Sequence, residues 1–256
     1  VSFDVDGEQP FSASSVNTFL RCAKQWEYAY VYEFKRPPSV RSIIGISAHS
    51  AEETNYAQKI ESKADLPLND VLDVFSTSFD SQAPEAEPDK EETVGQAKDS
   101  GIKTLSVYHE SVAPGIQPLW VEHEGLMMVN DIPYGYSIDL VDDKERVRDY
   151  KYTRKRPSEG SRDYKLNMIG YAMAYRNETG RKEADVVLDY MVRTQKPYHW
   201  PVASSGPVSD NAISNFASIL ELVRHAVSEG TFLPTGLQGH ACGWCGYRDI
   251  CDAYNA

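Results

Sequence analysis

Four consecutive residues, Arg148-Asp149-Tyr150-Lys151, have types and an order that could do chemistry. On an extended strand alternate side chains share a face, so Asp149 and Lys151 project together while Tyr150 projects to the other side. Taken alone, D-x-K equally suits a plain ion pair. A second carboxylate, Asp139, closes the segment Gly135-Tyr-Ser-Ile-Asp139, and the turn Asp142-Asp143-Lys144-Glu145 folds that segment back toward Asp149. Carboxylates held close repel one another. A divalent cation that prefers oxygen ligands, Mg²⁺ or Mn²⁺, relieves the repulsion. Phosphodiester hydrolysis calls for these parts: an activated water, a metal that acidifies it, and positive charge for the developing phosphorane. Lys151 would orient the water or stabilise that charge. Arg154, Lys155, Arg156 and Arg162 come directly after it, where a phosphate backbone would run.

The four cysteines form a second constellation: Cys22 stands alone, and Cys242, Cys245 and Cys251 make C-x2-C-x5-C. That spacing suits ligands of one metal centre better than two disulfides in a chain this long. Four thiolates accommodate zinc or an iron–sulfur cluster alike. A zinc deaminase is excluded, because it needs H-x-E and Pro-Cys-x-x-Cys; Ala241 precedes Cys242 and no H-x-E occurs. A nucleotide-driven motor is excluded by the lack of a G-x-x-x-x-G-K-[ST] loop.

The whole chain has 256 residues, 41% hydrophobic and 25% charged, with a net charge of -12. That is a folded protein of one large domain or two small ones. Taken whole, the charge argues against nucleic acid. Its distribution reverses the argument. Lys144 to Lys165 holds nine basic and four acidic residues, a net of +5, whereas Glu52 to Asp99 carries a net of -9. A local basic stripe binds phosphate even on an acidic molecule. No apolar run reaches the roughly 20 residues of a membrane span. Val1 to Pro10 is polar and acidic, unlike a secretory leader, so a cytoplasmic location is expected.

These residues need elements to hold them. Ser12, Ser14 and Ser15 are caps for a helix running to about Tyr30, with Phe19, Cys22, Trp26 and Tyr30 on one face. Pro37-Pro38 ends that unit, and a helix from near Arg41 to Lys59 carries His49. Residues 62–112 read as helical, broken near Pro67 and between Pro84 and Pro88. Strands are expected at 119–129, 134–141 and 146–152, with a turn at Asn130 to Pro133. A basic loop, a helix from Arg162 to Arg176, a strand from Ala184 to Thr194 and a helix from Ser209 to Ser228 complete the core. The Gly- and Cys-rich tail from Phe232 is expected to be organised by its ligands. Glu122 and Glu124, on the first strand, read as solvated or supporting carboxylates.

Strand hairpin, D-x-K and following helix together resemble the PD-(D/E)XK nuclease superfamily, with Asp139 as first acid and Asp149-Tyr150-Lys151 as its D-x-K. Gly45-Ile-Ser-Ala-His49 looks like the G-x-x-x-H motif of its RecB-like branch, and Asn167-Met-Ile-Gly-Tyr171 like the branch's Gln-x-x-x-Tyr, with Asn in place of Gln. The glycine usual three residues before the first acid is also replaced, by Tyr136. His49 or Tyr171 alone would read as core packing; the order of four motifs gives them a role. The resemblance implies an α/β fold, a mixed central sheet flanked by helices, in a single nuclease domain over 1–256. Within it lie a helical insertion (52–112) and a nuclease core (113–228). It implies a metal site of His49, Asp139, Asp149 and Tyr150, with Lys151, Asp149, Asp139, Tyr171 and Asn167 in catalysis. The cysteine pattern is similar to the iron–sulfur nucleases of that branch, the CRISPR-associated RecB-family exonucleases and the AddB-type subunit of helicase–nucleases. That likeness implies a [4Fe–4S] cluster on Cys22, Cys242, Cys245 and Cys251, stapling residues 14–30 to 232–256.

The expected activity is metal-dependent exonuclease cleavage of DNA, preferring single-stranded ends. The resemblance to the CRISPR-associated exonucleases adds 5′ to 3′ polarity. The setting is repair, recombination, phage or CRISPR-linked processing, alone or with a separate helicase or recombination protein. The competing readings are a catalytically silent iron–sulfur scaffold that binds DNA and a nuclease subunit of a helicase–nuclease.

Overall fold

The computed structural model describes residues 9–87, 91–157, 165–237 and 240–255. The sheet opens with a long antiparallel hairpin of β1 (Pro118–Val129) and β2 (Ile132–Asp142). Asn130 and Asp131 connect them with φ of 49° and 59°. Two consecutive left-handed residues match the right-handed twist of paired strands. The turn is therefore shorter than expected: Ile132 and Pro133 already pair with Val129 and Met128. β3 (Arg146–Thr153) returns antiparallel to β2, α6 (Lys165–Thr179) follows, and β4 (Asp185–Val192) lies parallel to β3. The expected start of that helix at Arg162 lies outside the described residues. An edge strand, β5 (Tyr198–Ala203), gives a mixed five-stranded sheet in the order β1-β2-β3-β4-β5. Sequence reading missed β5. Its Pro201 cannot donate to a ladder, a defect that an edge position tolerates.

Helices cover both faces. On one side α1 (Ala13–Arg21), α6 and α7 (Asp210–Ser228) build the main core, where the Tyr134 ring meets Phe216 edge-on at 5.6 Å. On the other, α3 (Val40–Ser62), α4 (Leu68–Gln82) and α5 (Val94–Ser111) pack through Ile43, Ile44, Phe75, Phe79 and Leu105. Tyr56, Tyr108 and Tyr150 join that layer to the sheet. The expected insertion boundary at residue 52 falls inside α3, the helix that carries His49.

The N-terminal helix is not continuous. Cys22 is extended (φ −164°, ψ 110°) and separates α1 from α2 (Ala23–Trp26), which runs on as a π-helical turn, Glu27–Val31. The aromatic face survives the break: Trp26 stacks on Tyr30 at 5.1 Å and meets Phe19 at 5.9 Å. Hydrogen bonds also hold the tail to this region without ligands. Tyr247 Oη donates to the Phe34 carbonyl at 2.8 Å and Tyr28 Oη to Asp252 Oδ1 at 3.2 Å.

Gly170 sets how closely α6 approaches β2. A Cβ there would collide with the Tyr134 hydroxyl, and Tyr134 is fully buried. Gly170→Ala is expected to destabilise the fold by about 1–3 kcal/mol through overpacking, read as a lower urea midpoint. Tyr134→Phe in the same chain should recover most of the loss, because the clash is with the hydroxyl.

Candidate functional site

The hairpin brings the two acids together as expected. Asp139 lies near the end of β2, and its Oδ2 accepts from the Tyr150 N–H at 3.2 Å. Asp149, one residue earlier on β3, is almost fully buried and raises the Asp139 carboxyl by its charge. Lys151 Nζ stands 2.6 Å from both Asp149 oxygens, and Tyr171 Oη, from α6, donates to Oδ1 at 2.7 Å. The buried Oδ2 has this ammonium as its ion-pair partner and no further hydrogen bond.

α3 delivers His49 from the opposite layer. Its Nδ1 is 3.5 Å from Asp139 Oδ2 and its Nε2 is 3.0 Å from the Tyr150 carbonyl. Gly45, one turn earlier, borders open space. The Tyr150 ring is buried, 5.6 Å from Tyr108, while its backbone N–H meets Asp139 and its carbonyl meets His49.

Glu122 is the residue that sequence reading undervalued. Expected as solvated or supporting, it forms with His49 and Asp139 a group whose ligand atoms all lie within 4.8 Å of one another. The flanking residues Val121 and His123 pair with Leu140 and Ile138, so Glu122 sits across from Asp139. Its φ of 44° turns the backbone out of regular strand geometry. Alternation alone carried no hint of that. His, Glu and Asp donors suit a divalent cation. Glu52, one turn beyond His49 on α3, is buried with Oε2 unpartnered, while Oε1 accepts from Tyr152 Oη at 2.6 Å.

Burial and the charge of Asp149 push the Asp139 carboxyl up to about 6, against the pull of His49 and Lys151. Burial, Asp139 and Glu53 push Glu122 up to about 8. Both folded-state values exceed their unfolded ones, so between about pH 4 and 8 the folded, metal-free protein binds more protons than the unfolded chain. Stability then falls as pH rises. Denaturant melts in EDTA should show a more stable protein at pH 5 than at pH 8, and Glu122→Gln should flatten the slope between pH 6 and 8. A slope of opposite sign would contradict this electrostatic account.

An open groove runs past Asp139, with Asn167, Tyr171, Glu124 and Tyr30 also on its walls. Asn167 Oδ1 accepts from Asn17 at 2.7 Å, which fixes it on the groove wall. The basic stripe is less uniform than its composition suggested. Arg146 and Arg148 are spent inside the sheet, bonded to Asp142 at 2.7 and 3.0 Å, and Arg148 also to Asp189 at 2.6 Å. The cause is the central position of β3, whose neighbours cover it. Arg154 pairs with Glu91 and Glu92. Lys155 and Arg156 are exposed, Arg156 over the Trp200 ring at 4.0 Å. Arg162 lies outside the described residues.

The four cysteines are free thiols that line one cavity between α2 and the tail. Gly236 closes it, since a Cβ there would come within 3.4 Å of Cys22 Sγ. The Cys242 thiol is raised by burial and then by Cys22, Cys245 and Cys251. Among the described residues no three of the sulfurs lie within 4.8 Å of one another.

A PD-(D/E)XK nuclease superfamily model matches residues 10–252. The chain belongs to that superfamily. The crystal structure of a candidate exonuclease from Eubacterium rectale aligns over 96% of this chain and 87% of that one, with a TM-score of 0.61 and 12% identity. At that identity the likeness speaks for the fold. The crystal structure of SSO0001 aligns over 90% of this chain and 93% of that one, at 15% identity and a TM-score of 0.39. No curated protein matches the sequence. PD-(D/E)XK nucleases use divalent metals, and the group His49, Glu122 and Asp139 could hold one. Among the described residues no helix is long and apolar enough to cross a membrane.

Proposed function

We propose that this chain is a divalent-metal-dependent DNA exonuclease that digests single-stranded ends from 5′ to 3′, with Cys22, Cys242, Cys245 and Cys251 holding a [4Fe–4S] cluster. The observation that carries the nuclease reading is the convergence of His49, Glu122 and Asp139 beside the Asp149–Lys151 pair. In this reading the cation is held by Asp139, Asp149, His49, Glu122 and the Tyr150 carbonyl. When bound it supplies Lewis acidity toward the scissile phosphate and a water. Lys151, beside Asp149, offers positive charge to the phosphate as charge develops. Tyr171 holds Asp149 in place through its hydroxyl. Asn167, on the groove wall, positions the strand.

Single-strand preference is supported by the groove. Tyr30 lines it, is 37% exposed and is backed by Trp26, a surface on which an unpaired base can stack. The polarity rests on the resemblance to CRISPR-associated exonucleases. The cluster is supported by four thiols around one cavity. We place the enzyme in the cytoplasm, in repair, recombination, phage or CRISPR-linked processing, working alone or beside a separate helicase.

The test uses 5′- and 3′-labelled oligonucleotides, a single-stranded circle and a duplex, with Mn²⁺ or Mg²⁺ and with EDTA. Early mononucleotides from the 5′ label, an intact circle and no cleavage in EDTA are the expected results. Rapid cutting of the circle would make it an endonuclease, and loss of the 3′ label first would reverse the polarity.

A further inference from the structure

The carboxyl ends of the parallel strands β3 and β4 carry a second knot of charge. Arg154 follows β3 and Arg193 follows β4, and the Arg193 N–H donates to the Thr153 carbonyl at 2.7 Å, so the two are neighbours. Arg41, in the first turn of α3, completes the group. All three converge on two glutamates just ahead of α5. Arg154 donates to Glu91 Oε2 and to Glu92 Oε2, each at 2.5 Å. Arg41 Nη2 reaches the same Glu91 oxygen at 3.2 Å. Arg193 Nη1 reaches Glu92 Oε1 at 3.3 Å and Ser100 Oγ at 2.6 Å. The Arg193 side chain is only 3% exposed, and its Nε has no partner.

Guanidinium forks bind carboxylate and phosphate by the same geometry. Here two adjacent carboxylates lie where three arginines point, as two oxygens of a phosphate would. Arg154 comes three residues after Lys151, just past the end of β3 and roughly 10 Å along an extended backbone, and the odd offset turns its side chain to the α3–α5 layer. Open α/β sheets also take ligands at the carboxyl ends of their parallel strands. The glutamates differ in how firmly they are held. Glu91 is 71% exposed and Glu92 only 12%, so Glu91 yields first while Glu92 stays with Arg193.

We propose that Arg41, Arg154 and Arg193 form a binding site for a backbone phosphate of the DNA strand, which Glu91 and Glu92 occupy as an internal competitor. This rests on the nuclease reading. It gives the acidic helical region a function: it sets how readily a strand is accepted, because DNA must displace a carboxylate to reach Arg154.

The test is fluorescence anisotropy with a labelled oligothymidylate in EDTA, where cleavage is stopped, over a series of salt concentrations. Glu91→Gln is expected to tighten binding about fivefold, the size of one exposed ion pair, and to steepen the salt dependence by about one phosphate contact. Glu91→Gln with Glu92→Gln should go further, and Arg154→Ala should cancel the gain. Asp70→Asn with Asp73→Asn, two exposed acids on α4, removes the same charge and should leave affinity within about twofold. Unchanged binding in Glu91→Gln, with wild-type binding intact, would overturn the site alone. An equal gain in the α4 control would overturn it too, by assigning the effect to overall charge. If no form binds the oligonucleotide even at low salt, both the site and the nuclease reading fall. Glu91 is exposed, so the single variant should melt with the wild type.

Discussion

Asp149→Ala and Lys151→Ala are each expected to cut the rate of DNA cleavage at least about a thousandfold, the scale of losing one preorganised group that meets charge in the transition state. Affinity for a labelled oligonucleotide should stay within about threefold, because binding comes from phosphate contacts elsewhere. The two variants should differ in stability. Asp149 is buried and accepts from both Lys151 and Tyr171, so its removal leaves two donors without an acceptor, at about 1–3 kcal/mol each where they stay buried. Lys151 is partly exposed, and its loss should leave the melting transition nearly unchanged. Asp149→Asn keeps an acceptor for Tyr171 while removing the charge, so it should fold well and still fail to cleave. Cleavage at the wild-type rate in Lys151→Ala would move the active site elsewhere.

Cys22→Ser carries the second large effect. If the four thiols share a cluster, the purified wild type is brown and contains iron and acid-labile sulfide, and the serine variant loses both. Stability should fall by about 4 kcal/mol or more, which is what a ligand present at a thousand times its Kd contributes. The structure explains the expected reach of this loss. Cys22 sits at the break between α1 and α2, packed against Gly236 of the tail. The direct ties from Tyr247 to Phe34 and from Tyr28 to Asp252 would remain. Residual order at the chain ends is therefore expected, not wholesale unfolding. Stoichiometric zinc in protein handled without oxygen, with neither iron nor sulfide, would overturn the cluster.

The candidate-site residues that were legible in the sequence are those whose positions follow from local rules. Asp149 and Lys151 share a face because a strand alternates, and Asp139 reaches them because a short turn joins neighbouring strands. Glu122 was not legible. Its approach to His49 and Asp139 depends on a left-handed residue inside β1 and on α3 arriving from another layer. The basic stripe misled for a related reason. Composition counts arginines, but Arg146 and Arg148 answer Asp142 and Asp189, and only strand order tells that β3 is central.

The sequence by itself determined the periodic elements: the long helices, the hairpin, and the strand that presents the acid–lysine pair. Each depends on contacts a few residues apart, which residue type and spacing encode directly. Tertiary structure alone decided the rest. Strand β5 exists because β4 offers it an edge where Pro201 does no harm. Cys22 leaves the helix where α1 gives way to α2 and the tail packs alongside. Tyr150 turns its ring into the layer of Tyr56 and Tyr108, while its backbone meets Asp139 and His49. Arg154 meets Glu91 and Glu92 across 63 and 62 positions of chain. Such pairings are set by which faces pack together, and no local pattern records the partner.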